Sequence, residues 1–268
     1  MLTDTHCHLD FDRFDGDRDQ VLERAWAAGL TRILVPALDI PSCIRATDLA
    51  ETDPRIFVAV GVHPNSATTW DSPSVDGHTL DALRRMAAHP KVVAIGEIGL
   101  DYYWDRAPRD LQHRVLRAQL GLAAKLKLPV VIHNRESSGD LVPMMVAWQA
   151  KLAAAGSPLA KRPGVLHSFS ASAEDAEKVL DANFYIGVTG PVTFKNAPNL
   201  QSLISNLPPS RLLIETDGPF LSPHPYRGER NEPARVKLVA EKIATLQGVS
   251  FGDVARQTTE NARRLFGW

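Results

Sequence analysis

Short runs of β-branched and other apolar residues recur along the whole chain, separated by segments with helical spacing. The eight candidate strands cover residues 2–5, 32–35, 56–62, 92–95, 130–132, 164–166, 184–188 and 212–214. Between the first two, Val21, Ala25 and Ala28 recur at the three- and four-residue spacing of one helix face. The pattern therefore predicts an eightfold alternation of strand and helix.

Local end signals support the same alternation. Pro41 and Pro108 suit the first turn of a helix, and Gly29 suits the position that follows a helix. Ser172 with Asp175 three residues later predicts a capping box. We therefore expect helices to begin or end at these positions.

Strands that alternate with helices favour a parallel sheet, because each crossover needs a dozen or more residues and covers a sheet face. Eight such units favour closure into a (β/α)8 TIM-type barrel of the α/β class, for which about 250 residues is typical. The 268 residues then leave room for a short C-terminal helical cap. An open doubly wound sheet is the alternative, but the glycine-rich phosphate-binding motifs of such sheets are absent from the sequence. With no linker or internal repeat, we expect one domain over residues 1–268.

Polar residues follow most of the predicted strands. They are His6 and His8 after the first, His63 after the third, Glu97 after the fourth, His133 after the fifth, His167 after the sixth and Asp217 after the eighth. In a barrel these ends meet at one face, where the active sites of such barrels lie. His6 and His8 share one face of a strand, and Cys7 points the other way.

A histidine pair two residues apart is a weak indication by itself, since it also fits a hydrogen-bonded surface pair. The joint placement is stronger evidence. Neutral imidazole and carboxylate are ligands of divalent cations, and burying Glu97 beside Asp217 without a cation would be unfavourable. Four histidines and two carboxylates exceed the needs of one tetrahedral ion and fit two ions about 3.5 to 4 Å apart. Glu97, midway in the series, is the candidate bridging ligand.

The charge and the cysteine content limit which binding partners and which cellular location the sequence predicts. Lysine plus arginine number 30 against 31 acids, a net charge of -1, so no overall field attracts nucleic acid or an anionic membrane. A polyanion must then be bound locally. No apolar run approaches the roughly 18 residues of a membrane span, and the first residues lack the features of a signal peptide. With only two cysteines, we expect a cytoplasmic protein without a membrane partner; the sequence does not indicate its oligomeric state.

Seven stretches together resemble the TatD family of metal-dependent deoxyribonucleases, within the amidohydrolase-like barrel enzymes. They are DTHCHLD at 4–10, GVHP at 61–64, GEIGLDYY at 96–103, LPVVIHNR at 128–135, HSFS at 167–170, ETDGPFL at 215–221 and RGERNEP at 227–233. The resemblance runs nearly end to end, and the combination of motifs is specific.

The resemblance implies two divalent ions, with zinc, manganese, nickel or magnesium as the candidates, and a division of the ligands between them. One ion is held by His6, His8, Glu97 and Asp217, and the other by Glu97, His133 and His167. His63 lies beside the site. Related enzymes that bridge their ions with a carbamoylated lysine need a lysine on the fourth strand, where this chain has Glu97. We therefore expect no bicarbonate requirement.

The corresponding mechanism is hydrolysis by water activated at two metals. Asp217 positions the water and accepts its proton, Glu97 bridges the ions, and His63 contributes a hydrogen-bond donor. Side chains near the mouth are candidates for substrate binding. They are Arg135 and Arg227 or Arg230 for a neighbouring phosphate, and Tyr102, with its neighbours Tyr103 and Trp104, for stacking on a terminal base. Surface ion pairs and packing of the barrel rim are the alternatives for the same residues.

The favoured function is hydrolysis of phosphodiester bonds in DNA or short single-stranded ends, because the sequence lacks the basic stripe of a processive duplex binder. The 3'-to-5' exonuclease polarity comes from the resemblance. An amide or ester hydrolase acting on a small molecule or an aminoacyl-tRNA is the alternative enzyme, since the same ions polarise carbonyl oxygens. A metal-storage barrel with a closed site is the non-enzymatic alternative.

Overall fold

Eight parallel strands follow one another in chain order around a barrel in the computed structural model, which describes residues 1–71 and 78–268. The strands are β1 Leu2–Asp4, β2 Leu30–Pro36, β3 Ile56–Val60, β4 Val92–Asp101, β5 Val130–Arg135, β6 Gly164–Leu166, β7 Tyr185–Val188 and β8 Leu212–Ile214. The segments that continue β1 and β8 meet through a parallel bridge between Cys7 and Gly218. The predicted (β/α)8 barrel is confirmed.

Helices pack around the barrel, and the last of them lies across one of its ends. They are α1 Arg18–Ala27, α2 Ile40–Thr52, α3 Thr79–Met86, α4 Arg109–Leu126, α5 Ser138–Ala154, α6 Ala173–Asp181, α7 Pro198–Asn206, α8 Val236–Gln247 and α9 Phe251–Phe266. Within the described ranges, none of them is long and apolar enough to cross a membrane.

Most of the predicted helix-end signals lie at helix ends in the structure. Ser172 and Asp175 form both hydrogen bonds of a capping box at the start of α6, as predicted. Pro41 lies in the first turn of α2, and Gly29 follows α1 with a φ of 92°. Pro108 instead precedes α4 as its N-cap residue, one position earlier than the predicted first turn.

Strand β4 is longer than predicted and changes the position of Glu97. The apolar pattern stops at residue 95, but the strand continues to Asp101, and Gly99 pairs with His133 of β5. A Cβ at residue 99 would lie 2.0 Å from the carbonyl oxygen of His133, so glycine permits this close approach. Glu97 therefore lies inside β4 rather than after it. His133 likewise lies inside β5, which continues to Arg135, and not after the strand as the sequence predicted.

The N-terminal end of the barrel is closed by α9. Ala262, Leu265 and Phe266 pack against side chains inside the barrel, Leu34 and Val131 among them. This is the predicted C-terminal helical cap, and it fills the end opposite to the polar strand termini. The carboxyl ends of the strands are thus left as the open face.

Candidate metal centre

Glu97 lies at the centre of the polar cluster, and its two carboxylate oxygens face different histidines. Oε2 is 3.4 Å from Nε2 of His6 and 3.6 Å from Nε2 of His8. Oε1 is 2.9 Å from Nδ1 of His133. The buried carboxylate therefore stands between two groups of imidazoles that come from opposite sides of the barrel.

Asp217 and His167 complete the cluster. Oδ1 of Asp217 lies 3.7 Å from Nε2 of His6, 3.6 Å from Nε2 of His8 and 3.8 Å from Nε2 of His167. The rings of His6 and His167 are stacked with their centroids 3.4 Å apart. The structure therefore brings together all six residues that the sequence predicts as metal ligands.

Hydrogen bonds between the β1 and β8 segments fix His6 relative to Asp217. The carboxylate of Asp4 accepts hydrogen bonds from the backbone N–H and hydroxyl of Thr216 and from the backbone N–H of His6. The backbone N–H of Asp217 donates to the carbonyl oxygen of His6 at 2.8 Å. Burial raises the pKa of Asp4 to about 8. The closure of the barrel thus also sets the geometry of the cluster.

His6 and His8 approach each other closely enough to favour a cation between them. Their Nε2 atoms are 3.3 Å apart. Nδ1 of His8 lies 3.1 Å from the carbonyl oxygen of Pro36, which only accepts, so in the neutral ring this nitrogen carries the hydrogen and Nε2 offers its lone pair. Nδ1 of His6 is buried, with no hydrogen-bond partner among the described residues. A nitrogen pair of this kind, beside two carboxylates, fits a divalent cation.

Two imidazoles of the cluster also contact carboxylates that lie outside it. Nδ1 of His167 lies 2.9 Å from Oε2 of Glu215, and Nε2 of His133 lies 3.0 Å from Oδ2 of Asp101. Metal-binding histidines commonly donate their second ring N–H to such an acceptor, which orients the ring and increases its basicity.

The electrostatics of the cluster favour added positive charge. Burial alone would lower the pKa of His133 and His167, but the neighbouring carboxylates outweigh it and raise each pKa to about 9. For Glu97, burial acts to raise the pKa, but the surrounding imidazoles hold it well below its usual value. The site is therefore a buried concentration of anionic charge suited to cations.

His63 lies beside the cluster in the geometry of a hydrogen-bond donor. Its Nδ1 accepts a hydrogen bond from the backbone N–H of Asn65 at 3.0 Å, so in the neutral ring the hydrogen is on Nε2. Nε2 lies 3.8 Å from Oε1 of Glu97. Burial and the charge of His133 lower the pKa of His63 to about 3, which keeps the ring neutral. His63, Glu97 and His133 also bring ligand atoms within 4.8 Å of one another, but the hydrogen bond from Asn65 leaves the ring hydrogen on Nε2, which favours the donor role.

Asp101 is a residue of this site that the sequence reasoning did not single out. Besides its contact with His133, its carboxylate accepts the backbone N–H groups of Tyr103 and Trp104, both at 3.0 Å, and the side-chain amide of Asn65 at 3.2 Å. Asp101 thus connects the cluster to the loop after β4. The four-residue spacing from Glu97, which places both on one strand face, was an available indication.

Glu215 is the second residue that was missed. It accepts hydrogen bonds from the backbone N–H of Ser168 and the hydroxyl of Thr5, in addition to its contact with His167. A Cβ at Gly187 would lie 2.3 Å from its Oε2, so the missing side chain on β7 leaves the room that this carboxylate occupies. Its position two residues before Asp217 was the available indication.

Two of the predicted substrate-binding residues lie near the loop after β4. The guanidinium of Arg135 lies 4.0 Å from the ring centroid of Tyr103, and no acid of the described ranges is within ion-pair distance of it. The hydroxyl of Tyr102 lies 2.6 Å from Nε2 of His113 and donates to Asp140 at 2.5 Å. Tyr102 therefore has the packing contacts of the alternative interpretation, whereas Arg135 remains open to an anion.

The other two candidates lie after β8. The guanidinium of Arg227 stacks over Phe194 at 4.6 Å. Arg230 makes a two-pronged ion pair with Asp17, with both N···O distances 2.7 Å, and also donates to the carbonyl oxygen of Arg13. Arg230 is thus occupied by the ion pair that the sequence left open as the alternative.

A parallel (β/α)8 barrel with imidazoles and carboxylates gathered at the carboxyl ends of its strands defines a class, the barrel-type metal-dependent hydrolases. Residues 3–267 match the family model described as TatD related DNase. The chain belongs to this family and is a metal-dependent hydrolase of the TatD type.

Individual relatives agree with the family match. The chain is 45% identical over 266 residues to the uncharacterized metal-dependent hydrolase YabD of Bacillus subtilis, covering 99% of each chain. It is 36% identical to the 3'-5' ssDNA/RNA exonuclease TatD of Erwinia tasmaniensis, again over 99% of each. The crystal structure of YjjV, a TatD homolog from Escherichia coli, superimposes with a TM-score of 0.87 at 32% identity, covering 100% of this chain and 98% of that one.

Proposed function

We propose that this protein is a phosphodiesterase that uses two divalent cations, a deoxyribonuclease of the 3'-to-5' exonuclease type acting on DNA or short single-stranded ends. Residues 1–268 act as one catalytic unit. The observation that carries the proposal is the position of Glu97, with one carboxylate oxygen toward His6 and His8 and the other toward His133. This is the arrangement expected of a carboxylate that bridges two cations.

We assign the ligands to two sets that share Glu97, as the family resemblance implies. One set is His6, His8, Glu97 and Asp217, and the other is Glu97, His133 and His167. Cations held there would supply Lewis acidity to a phosphoryl oxygen and to water. The abundance of imidazole favours zinc, manganese or nickel over magnesium as the resident ion.

The protein's own groups have separate tasks around these cations. Asp217 is the more exposed of the two central carboxylates, with 14% of its side chain exposed against 3% for Glu97. We therefore assign to Asp217 the tasks of orienting the attacking water and accepting its proton. His63 donates its Nε2–H toward a phosphate oxygen and offsets charge that develops during the reaction. Arg135 binds a neighbouring phosphate through its planar guanidinium.

Two observations favour a phosphodiester over an acyl substrate. The Erwinia tasmaniensis relative is named as an exonuclease of single-stranded DNA and RNA. The guanidinium of Arg135, which has no ion pair among the residues that the structure describes, is complementary in charge and shape to a phosphate. Amide or ester hydrolysis uses the same centre and is therefore included in the test.

The test begins with elemental analysis of the purified protein, followed by chelation and return of single metals. At each stage, hydrolysis is measured on a single-stranded oligonucleotide, an aryl phosphodiester and a panel of acyl substrates. We expect bound divalent metal, loss of oligonucleotide hydrolysis on chelation, and its recovery when zinc, manganese or nickel is returned. Turnover of acyl substrates alone, or full nuclease activity in metal-free protein, would contradict the proposal.

A further inference from the structure

Exposed aromatic side chains are concentrated at the mouth of the barrel. Among the described residues, five side chains of Phe, Tyr or Trp are exposed, and four of them lie in the loops that follow β4 and β8. They are Tyr103, Trp104, Phe220 and Tyr226. The fifth, Phe251, begins α9 at the opposite end of the barrel. Large apolar rings left in water beside a polar cluster indicate contact with another molecule.

The first group, here called the β4 platform, consists of Tyr103 and Trp104. Their side chains are 49% and 43% exposed, and the rings meet at 90° with centroids 4.8 Å apart. Asp101 holds both backbone N–H groups, so the backbone that carries the two rings is fixed. Arg135 lies over Tyr103 at 4.0 Å and 5.7 Å from the ring of Trp104. Two exposed aromatic rings, perpendicular to each other, thus lie beside an available cation.

The second group, here called the β8 platform, consists of Phe220 and Phe11. Phe220 is 43% exposed, and its ring lies 6.4 Å from that of His8 and 6.0 Å from that of Phe11. Phe11 in turn stacks on His8 at 4.9 Å. The guanidinium of Arg13 lies 6.0 Å from the ring of Phe220. This platform therefore directly adjoins a predicted metal ligand.

The topology places the two platforms on opposite sides of the predicted metal centre. The strands run around the barrel in the order β1 to β8, so β4 and β5 lie across from β8 and β1. The β4 platform is connected to the centre by the hydrogen bond between Asp101 and His133. The β8 platform is connected to it by the stacking of Phe11 on His8. A chain that contacts both platforms must therefore pass over the centre.

We propose that single-stranded nucleic acid crosses the mouth with a base stacked on each platform, so that at least one base lies on either side of the phosphodiester to be cleaved. This inference rests on the proposed function and adds how the substrate is recognised. Aromatic rings interleaved with arginines suit a strand of bases and phosphates, and stacking tolerates any base sequence. Duplex ends are disfavoured, because their bases are already stacked and paired.

A double-mutant cycle between protein and substrate tests this contact directly. The protein variants are Phe220→Ala and Trp104→Ala, with Phe251→Ala as the matched control for loss of an exposed ring away from the mouth. The substrates are one single-stranded oligonucleotide and two copies of it, each with an abasic nucleotide on one side of the first bond cleaved. The readout is kcat/KM for that first cleavage, and circular dichroism verifies that each variant is folded.

With the wild-type protein, we expect each abasic nucleotide to lower kcat/KM about 10-fold. In Phe220→Ala the abasic nucleotide on one side should have no further effect, and in Trp104→Ala the same should hold for the other side. Phe251→Ala should match the wild type throughout. If the rings only stabilise the loops, each variant will lose activity equally on all three substrates, and the inference is then overturned.

Measurements on the wild-type protein alone distinguish this inference from the proposed function on which it rests. Equal cleavage of intact and abasic oligonucleotides would leave the phosphodiesterase proposal standing and overturn the two-platform inference, even if a variant failed to fold. Absence of oligonucleotide cleavage together with turnover of acyl substrates would overturn the proposed function, and the inference with it.

Discussion

Oδ2 of Asp101 lies 3.0 Å from Nε2 of His133, while Oδ1 of the same carboxylate accepts the backbone N–H groups of Tyr103 and Trp104. One side chain thus joins a predicted metal ligand to the aromatic loop at the mouth. A carboxylate is suited to this position because both of its oxygens accept hydrogen bonds.

We expect Asp101→Asn to lower both metal affinity and kcat/KM, by about 10- to 100-fold for either, because partners of this kind orient metal ligands. An amide has only one accepting oxygen, so its NH2 group would face either His133 or the loop backbone without a match. Metal titration and oligonucleotide hydrolysis measure the two effects. Asp105→Asn, an exposed position in the same loop, is the control and should match the wild type. Wild-type metal affinity in Asp101→Asn would contradict this role.

The arginines of the mouth should separate into structural and substrate-binding residues. Arg230 is engaged with Asp17 in a partly buried, two-pronged pair, so Arg230→Ala should lower the free energy of unfolding by about 1 kcal/mol and leave KM unchanged. Arg135→Ala should instead raise KM for an oligonucleotide several-fold without a loss of stability, because its guanidinium is not ion-paired within the described ranges. Chemical denaturation and steady-state kinetics make the comparison. The reverse pattern would show that the assignments are exchanged.

Bicarbonate should have no effect on activity. Glu97 occupies the β4 position at which a related barrel enzyme with a carbamoylated lysine would need its lysine, and a carboxylate is present there without modification. We expect metal-free protein reconstituted in decarbonated buffer to recover the same activity as protein reconstituted with added bicarbonate. Mass spectrometry should find no carbamoyl group at the site. A bicarbonate-dependent recovery would contradict the role of Glu97.

Much of this fold could be predicted from the sequence because the apolar runs of a parallel barrel are short, buried and separated by helices of regular spacing. The limits of β4 could not, since Glu97 and Gly99 break the apolar pattern while the backbone continues to pair with β5. All ten residues of β4 are buried, but the pattern detects only the apolar ones, whereas the strand is defined by its hydrogen bonds.

The cluster itself was visible as a series of strand-end residues, because a barrel brings such ends together. The supporting residues were harder to recognise. Asp101 and Glu215 act through other side chains, and their only indication in the sequence is a strand-face spacing of four residues from Glu97 and of two from Asp217. Phe220 likewise becomes informative only when its ring is found next to that of His8. The ion pair of Arg230 joins residues distant in the chain, and no spacing rule indicates it.

The two thiols should be inert in the folded protein. Cys43 is fully buried with Sγ 3.7 Å from the carbonyl oxygen of Gly61, and burial raises its pKa to about 12. At pH 8 almost none of it is thiolate, which is the reactive form. Cys7 is equally buried, and burial raises its pKa as well. We expect no reaction with a disulfide reagent at pH 8 in the native state.

Unfolding in guanidinium should restore the ordinary thiol pKa and expose both cysteines, so two thiols per chain should then react. Ser210→Cys, at an exposed position, is the positive control and should add one thiol that reacts in the folded protein. Raising the pH from 8 to 9 should speed the reaction of that control thiol, whose pKa is near the usual value, and leave the native pair unreactive. Stoichiometric labelling of Cys43 in folded protein would show that the strand and helix layer around it opens more readily than this packing allows.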